Sequence, residues 1–172
     1  FICLEWNFFK HYYKLNYHNI NLITCIRDPY ERYVSNMVYD GYTDIDTFYG
    51  KKQIWKKRGK RFKISCNKYN YYVRMLNGIG DNPNIKINGT HFKIAKKNLR
   101  QFSTIIILDM PETFKLLEKY NITDFIHQNK TNDKDEVEIN IDEQEFINNN
   151  KFDYLLYKYA IYLSKKQLKL IE

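Results

Sequence analysis

The sequence predicts an α/β protein in which strands and helices alternate around a parallel sheet. Two apolar runs rich in β-branched residues, 20–26 and 104–108, each lead into a helical pattern with a proline near its start. A third candidate strand, residues 1–4, precedes a helical pattern over residues 7–17. Strands joined by such helices pair in parallel, and their carboxyl ends meet at one edge of the sheet. We therefore expect an α/β fold in which helices pack against a parallel sheet.

Composition is consistent with one domain, residues 1–172, large enough for a sizeable core. The net charge of +8 favours anionic partners, although abundant Asn, Lys, Ile and Tyr, all with A/T-rich codons, can explain part of it. No apolar run reaches the length of a transmembrane span. Three scattered cysteines predict neither a disulfide framework nor a zinc site, so we expect no metal. Cys25, inside a predicted strand, is expected in the core.

The segment over residues 20–38 predicts a strand that runs directly into a helix. Asp28 suits the N-cap and Pro29 the first helical position. Glu31 lies three residues after the cap, as a capping box requires. The helix itself is indicated by an apolar stripe with helical spacing, formed by Tyr30, Tyr33, Val34, Met37 and Val38. Arg27 therefore stands at the junction of strand and helix.

This junction has the chemistry of an anion site. Ligands bind at the carboxyl ends of strands in open α/β sheets, and a helix N-terminus offers free N–H groups and partial positive charge. Arg27 adds a bidentate donor, and Arg32 and Ser35 follow within the next turns, so a phosphate is the expected ligand. The alternative is that Arg27 only pairs with Asp28 or Glu31 and braces the turn.

The rest of the chain predicts further helix and strand units. A helix over residues 67–77 places Asn70 and Arg74 on one face, and a helix over residues 91–102 leads into the second apolar strand. The helix after Pro111 is expected to end at Asn121, in a unit that looks structural because no arginine accompanies the Asp109 turn. Residues 124–138 read as a polar loop, and residues 142–147 and 152–170 as two helices.

A basic segment at residues 51–63 carries eight Lys or Arg residues and no acid, with Trp55 and Phe62 interleaved. Such a segment suits contact with a phosphate or sulfate backbone, through residues such as Lys57 and Arg58. It is equally typical of a solvated, mobile loop.

The run Arg27-Asp-Pro-Tyr-Glu-Arg-Tyr-Val-Ser35 resembles the 3′-phosphate-binding motif of the sulfotransferases that use 3′-phosphoadenosine-5′-phosphosulfate (PAPS). Three later segments match that family in order and spacing, and the similarity spans residues 20–163. The nearest branch is the membrane-bound carbohydrate sulfotransferases of the heparan sulfate 2-O type. The matching segments are residues 70–78, residues 95–99, and residues 127–131 with 153–160.

The resemblance implies a three-layer parallel sheet of the P-loop nucleotide-hydrolase-like sulfotransferase type, incomplete at the N-terminus. It also implies transfer of a sulfuryl group from PAPS to a carbohydrate or other polyanionic acceptor. It assigns the 3′-phosphate to Arg27 and Ser35, and we add Arg32 and Lys130 as further cations for the nucleotide. It also implies a membrane-anchored glycoprotein of the Golgi lumen, with the anchor upstream of this chain. The acceptor would be held by Asn70 and Arg74, which equally suit structural support, and by Lys57 and Arg58.

The expected general base is Glu5, which would lie at the same sheet edge as Arg27, although a solvated or ion-paired turn residue fits as well. His11 competes for the role, because carbohydrate sulfotransferases often use a histidine upstream of the motif. A glycine-rich phosphate loop is absent from this sequence, so we expect the 5′-phosphosulfate loop to precede it and the fragment alone to be inactive.

Two other functional classes stay open at this point. A nucleic-acid-binding module would explain the charge and the aromatic residues, although the resemblance does not favour nucleic acid as a partner. A nucleotide kinase-like enzyme would need an upstream phosphate loop and carboxylates for Mg²⁺.

Overall fold

A computed structural model describes residues 21–39, 53–57, 60–64, 69–80, 84–123 and 142–171. The strands are β1 (Ile23–Ile26), β2 (Gln53–Lys57), β3 (Lys60–Ile64) and β4 (Thr104–Ile107). The α-helices are α1 (Pro29–Tyr39), α2 (Tyr71–Leu76), α3 (Gly89–Leu99), α4 (Glu143–Asn149) and α5 (Lys151–Leu168), and a 3₁₀ helix covers Pro111–Tyr120. Among these helices, none combines the length and the apolar content that crossing a lipid bilayer requires.

The predicted parallel sheet is confirmed for the two apolar strands that the structure describes. β1 and β4 run parallel in a register that places Ile23 opposite Thr104 and Ile26 opposite Ile107. Helices α2, α3 and α5 cover this pair, and their apolar residues join it in one core. The buried members of this core are Ile26, Val73, Leu76, Ala95, Leu99, Ile105, Ile107, Leu156 and Ala160. The protein is therefore α/β. Its described parallel sheet has two strands, and the three-layer arrangement stays a prediction.

The edge of β4 that faces away from β1 is closed by side chains. Ile105 donates its N–H to Gln167 Oε1 at 2.9 Å and accepts from Ser164 Oγ at 2.6 Å. The Thr113 hydroxyl accepts from the N–H of Ile107 at 3.0 Å and lies 3.1 Å from its carbonyl oxygen. Because these backbone groups are already paired, no further strand can add there, and the sheet can extend only on the side of β1.

The basic segment contains a hairpin that the sequence analysis did not predict. β2 and β3 pair antiparallel, with Trp55 opposite Phe62 and Lys57 opposite Lys60. Two residues, one of them Gly59, separate the strands in the sequence, which is a common hairpin spacing. The aromatic and β-branched residues between the lysines favour strands, and this signal was masked by the high charge.

The helical predictions that fall on described residues are confirmed with shifted ends. The strand predicted at residues 1–4, the helix at residues 7–17 and the loop at residues 124–138 lie outside the described residues. The predicted helix over residues 67–77 is shortened to α2, and the one over residues 91–102 becomes α3, capped by Asn88, whose side chain accepts from the N–H groups of Thr90 and His91. The helix after Pro111 has 3₁₀ geometry and ends at Asn121, whose φ of 59° terminates it as expected. Both predicted C-terminal helices are present as α4 and α5.

Candidate functional site

A cleft of about 310 Å³ lies at the carboxyl end of β1, where the strand turns into α1. Arg27, Arg32 and Ser35 line it from this strand-to-helix unit, and Tyr71 and Tyr72 line it from α2. The three polar residues of the predicted phosphate site therefore share one cleft, although they span nine positions of the chain. This arrangement follows from the local turn, since Ser35 lies two helical turns after the junction.

Only one of the two hydrogen-bonding contacts of the predicted capping box is present at the turn between β1 and α1. The Asp28 carboxylate accepts from the N–H groups of Tyr30 at 2.8 Å and Glu31 at 3.2 Å, which confirms the N-cap. The second half of the predicted capping box is wrong, because the N–H of Asp28 donates to Asp109 Oδ2 at 2.7 Å rather than to Glu31. Asp109 is the second residue after the end of β4, and parallel pairing brings it to this turn.

The Arg27 guanidinium contacts two carboxylates. Its Nη2 lies 3.1 Å from Glu31 Oε2, and its Nε lies 3.7 Å from Asp109 Oδ1. The Arg27 side chain remains 35% exposed. Pairing with Glu31 is one of the alternatives that the sequence left open, and a phosphate in the cleft would have to compete with it. A guanidinium has five N–H donors, so these two contacts occupy only part of its capacity.

Tyrosine hydroxyls hold the same turn from two sides. The Tyr72 hydroxyl accepts from the N–H of Arg27 at 3.1 Å and donates to its carbonyl oxygen at 2.9 Å. The Tyr157 hydroxyl donates to Asp109 Oδ2 at 3.0 Å. Burial raises the pKa of both phenols well above the usual range, so both stay protonated and can donate. The sequence carries no local signal for the roles of Tyr72, Asp109 and Tyr157 at this turn, because each is at least 45 positions from its partner. The expectation that no arginine accompanies the Asp109 turn is wrong, since Arg27 reaches it from β1.

Arg32 contributes a second guanidinium, held by aromatic rings. It stacks over Tyr71 with 3.9 Å from Cζ to the ring centroid, and Tyr72 is 5.5 Å away. Its Nε is buried and has no hydrogen-bond acceptor among the described residues. Ring stacking fixes the position of the Arg32 cation and leaves its charge in place.

Cys25 also lines the cleft and is exposed, so its predicted place in the core is wrong. Cys25 is exposed because successive residues of a strand point to opposite faces of the sheet. Leu22 and Ile26 are the buried residues in and next to β1, and Cys25, which precedes Ile26, points to the other face. Partial desolvation in the cleft, and secondarily the Asp109 carboxylate, raise the pKa of the Cys25 thiol to about 11. The thiol is therefore protonated and a poor nucleophile at neutral pH.

Asn70 is buried at the junction of α2 with the C-terminal helices. Its backbone has a φ of 54°, and its N–H donates to Asn150 Oδ1 at 2.7 Å. Its side chain donates to the carbonyl of Asn149 at 3.1 Å and accepts from the N–H of Phe152 at 3.1 Å. These contacts connect α2 to the start of α5, and Asn70 is not among the residues that line the cleft.

Arg74 is likewise buried, with 7% of its surface exposed. Its Nε donates to the carbonyl of Tyr69 at 2.9 Å, and its Nη2 to that of Ile85 at 2.7 Å. Burial lowers the pKa of the guanidinium. Of the two roles that the sequence left open for Asn70 and Arg74, structural support is the one these contacts favour, and substrate binding finds no support in them.

The other predicted site residues lie where their side chains are not described. Glu5, His11, Arg58 and Lys130 fall outside the described residues, and Lys57 is the last residue of β2. Within the described ranges there is no cluster of three or more His, Cys, Asp or Glu side chains that could hold a metal ion.

Comparison of the chain with family models, with curated proteins and with solved structures finds no match. Functional inference therefore depends on the residues of the cleft and on the motif that supplies them.

Proposed function

We propose that this chain is the nucleotide-binding part of a PAPS-dependent sulfotransferase. The observation that carries the proposal is that Arg27, Arg32 and Ser35 line one cleft at the carboxyl end of a parallel strand. Two guanidinium groups and a hydroxyl are donors that suit a phosphate monoester.

In this proposal Arg27 and Ser35 hold the 3′-phosphate of the nucleotide, and Arg32 adds positive charge to the wall of the cleft. PAPS supplies the activated sulfuryl group, which passes to the acceptor oxygen as the bond to the 5′-phosphate breaks and adenosine 3′,5′-bisphosphate leaves. The acceptor is a hydroxyl of a carbohydrate or another polyanion, and Glu5 or His11 takes its proton. Lys130 offsets negative charge on the nucleotide, and Lys57 and Arg58 attract the acceptor. The full protein would work in the Golgi lumen as a membrane-anchored glycoprotein.

The complete fold in this proposal is the three-layer sheet of that family. Growth of the sheet on the side of β1 is compatible with it, because the opposite edge of β4 is closed by Thr113, Ser164 and Gln167. The strand predicted at residues 1–4 lies outside the described residues.

Calorimetric titration with adenosine 3′,5′-bisphosphate tests the proposal. Arg27→Ala removes a charge-assisted bidentate donor, so we expect affinity to fall about tenfold or more, since such hydrogen bonds contribute about 1.5–3 kcal/mol. Ser35→Ala should weaken binding less. Lys115→Ala, which removes an exposed cation of the 3₁₀ helix, is the charge-matched control and should bind as wild type.

The comparison ligand is adenosine 5′-monophosphate, which lacks the 3′-phosphate and should bind weakly to every variant. Equal affinity of wild type and Arg27→Ala for the bisphosphate, or equal affinity of wild type for both nucleotides, contradicts the proposal.

A second candidate function, binding of single-stranded nucleic acid without catalysis, is favoured by a basic aromatic surface on α3 and α5. Lys96 Nζ lies 4.2 Å from the centroid of the Tyr159 ring, Arg100 contacts the Tyr159 hydroxyl, and Tyr162 stacks beside it at 6.1 Å. Tyr162 is 59% exposed, so its ring is available to a base. This candidate predicts salt-dependent binding of oligonucleotides that Tyr162→Ala weakens and adenosine 3′,5′-bisphosphate does not displace.

A further inference from the structure

A buried carboxylate from α5 caps helix α2. Asp153 is 1% exposed, and its two oxygens accept from the N–H groups of Tyr72 at 3.0 Å and Val73 at 2.9 Å. The residue at the N-cap position, Asn70, makes no side-chain capping hydrogen bond. The first turn of α2 is therefore held by a residue that follows it by about 80 positions.

Tyr72 connects this cap to the cleft. Its backbone N–H is bound by Asp153, and its hydroxyl is bound to both backbone groups of Arg27. Tyr72 and Arg27 both line the cleft, whereas Asp153 does not. A shift of the first turn of α2 would thus move the phenol that fixes the backbone of Arg27.

The charges around Asp153 come from the two helices packed against it. Burial raises the pKa of Asp153 to about 6, and the N–H groups of Val73 and Tyr72 and the guanidinium groups of Arg32 and Arg74 oppose this rise. The carboxylate therefore takes up a proton in mildly acidic solution. One of its oxygens then becomes a hydroxyl, which is a donor and a poorer acceptor for a backbone N–H.

We propose that Asp153 is a positioning residue of the cleft, which sets its affinity for anions by holding Tyr72 and, through Tyr72, the backbone of Arg27. This inference rests on the anion-binding cleft of the proposed function. A positioning role and simple electrostatics predict opposite changes in anion affinity when the Asp153 carboxylate is lost. Loss of the carboxylate removes negative charge near two guanidinium groups, which alone would strengthen anion binding. Loss of positioning weakens it.

Inorganic sulfate is the probe, because its charge is constant between pH 5 and pH 8. We expect Asp153→Asn and Tyr72→Phe each to weaken sulfate binding about three- to tenfold, the loss of roughly one hydrogen bond. The double variant should be no weaker than the weaker single variant, because both changes break the same chain of contacts. Asp142→Asn removes the carboxylate that caps α4 and is the matched control, with unchanged affinity expected.

A pH profile separates positioning from a general structural role. The wild-type affinity for sulfate should fall as the pH is lowered from 7 to 5, and the profile of Asp153→Asn should be flat. In Tyr72→Phe the carboxylate still takes up its proton but no longer acts on Arg27 through the phenol, so the affinity should not fall and should rise slightly towards pH 5. If Asp153→Asn does not fold, Tyr72→Phe and the wild-type profile carry the test.

Sulfate binding by Asp153→Asn that equals or exceeds wild type, additive losses in the double variant, or a wild-type affinity that rises towards pH 5 would overturn the inference. If wild type binds neither sulfate nor adenosine 3′,5′-bisphosphate, the proposed function fails as well. If wild type binds both and the variants match it, only the role of Asp153 is refuted.

Discussion

Glu31 competes with the proposed ligand for Arg27, and its removal should strengthen nucleotide binding. The Glu31 carboxylate lies 3.1 Å from Nη2 of Arg27, with side-chain exposures of 53% and 35% for the two residues. Glu31→Gln keeps the size of the side chain and removes the charge. The guanidinium is then freer to pair with a phosphate, and the cleft loses a negative charge.

The size of the effect follows from the exposure of the pair. Ion pairs in contact with solvent contribute about 0.2–1 kcal/mol, so removing this competitor should improve affinity up to about fivefold. The gain should shrink as salt is added, because exposed charges are screened over about 10 Å at 0.1 M salt. A carboxylate in the first turn of a helix also stabilises that helix by about 0.3–1 kcal/mol, so the variant should unfold slightly more easily.

The assay is titration with adenosine 3′,5′-bisphosphate at low and at physiological salt. Glu112→Gln, which removes an acid from the first turn of the 3₁₀ helix, changes the net charge equally and is the control. If Glu31→Gln binds more weakly than wild type, or gains no more than Glu112→Gln, then Arg27 is not the group that receives the phosphate and the reasoning is refuted.

Two further predictions concern stability. Thr113→Val removes the hydroxyl that accepts from the N–H of Ile107 at 3.0 Å and donates to the carbonyl of Met110 at 2.8 Å. The buried backbone groups left unpaired should lower the free energy of unfolding by about 1–3 kcal/mol. Urea denaturation measures the change in the free energy of unfolding, and Thr123→Val at an exposed position is the control. A loss below about 0.5 kcal/mol in Thr113→Val would contradict the prediction. Burial raises the pKa of Asp153 from 3.8 to about 6, so between these values the folded protein keeps a proton that the unfolded chain releases. The free energy of unfolding should therefore decrease as the pH rises through this window and level off above it. This decrease should be absent in Asp153→Asn, and identical pH dependence of the two proteins would refute the assignment.

Local signals determined much of the secondary structure. Asp28 and Pro29 specify the start of α1 because a cap acts within one helical turn, and Asn121 ends the 3₁₀ helix because it tolerates a left-handed backbone. The β-branched runs predicted both strands of the parallel pair. The motif from Arg27 to Ser35 is local too, since strand, turn and helix place its side chains together.

The contacts that shape the cleft were decided by tertiary structure. Asp109 reaches Arg27 because two strands pair in parallel, and Asp153 reaches Tyr72 because α5 packs against α2. Neither contact leaves a periodic pattern in the sequence, because the partners are about 80 positions apart. The residues next to each turn also show no sign that a distant partner is needed. The sequence by itself therefore determined the strand-to-helix unit with its basic and hydroxyl side chains. Only packing decided which carboxylates and phenols surround them, since burial and pairing depend on neighbours that are distant along the chain.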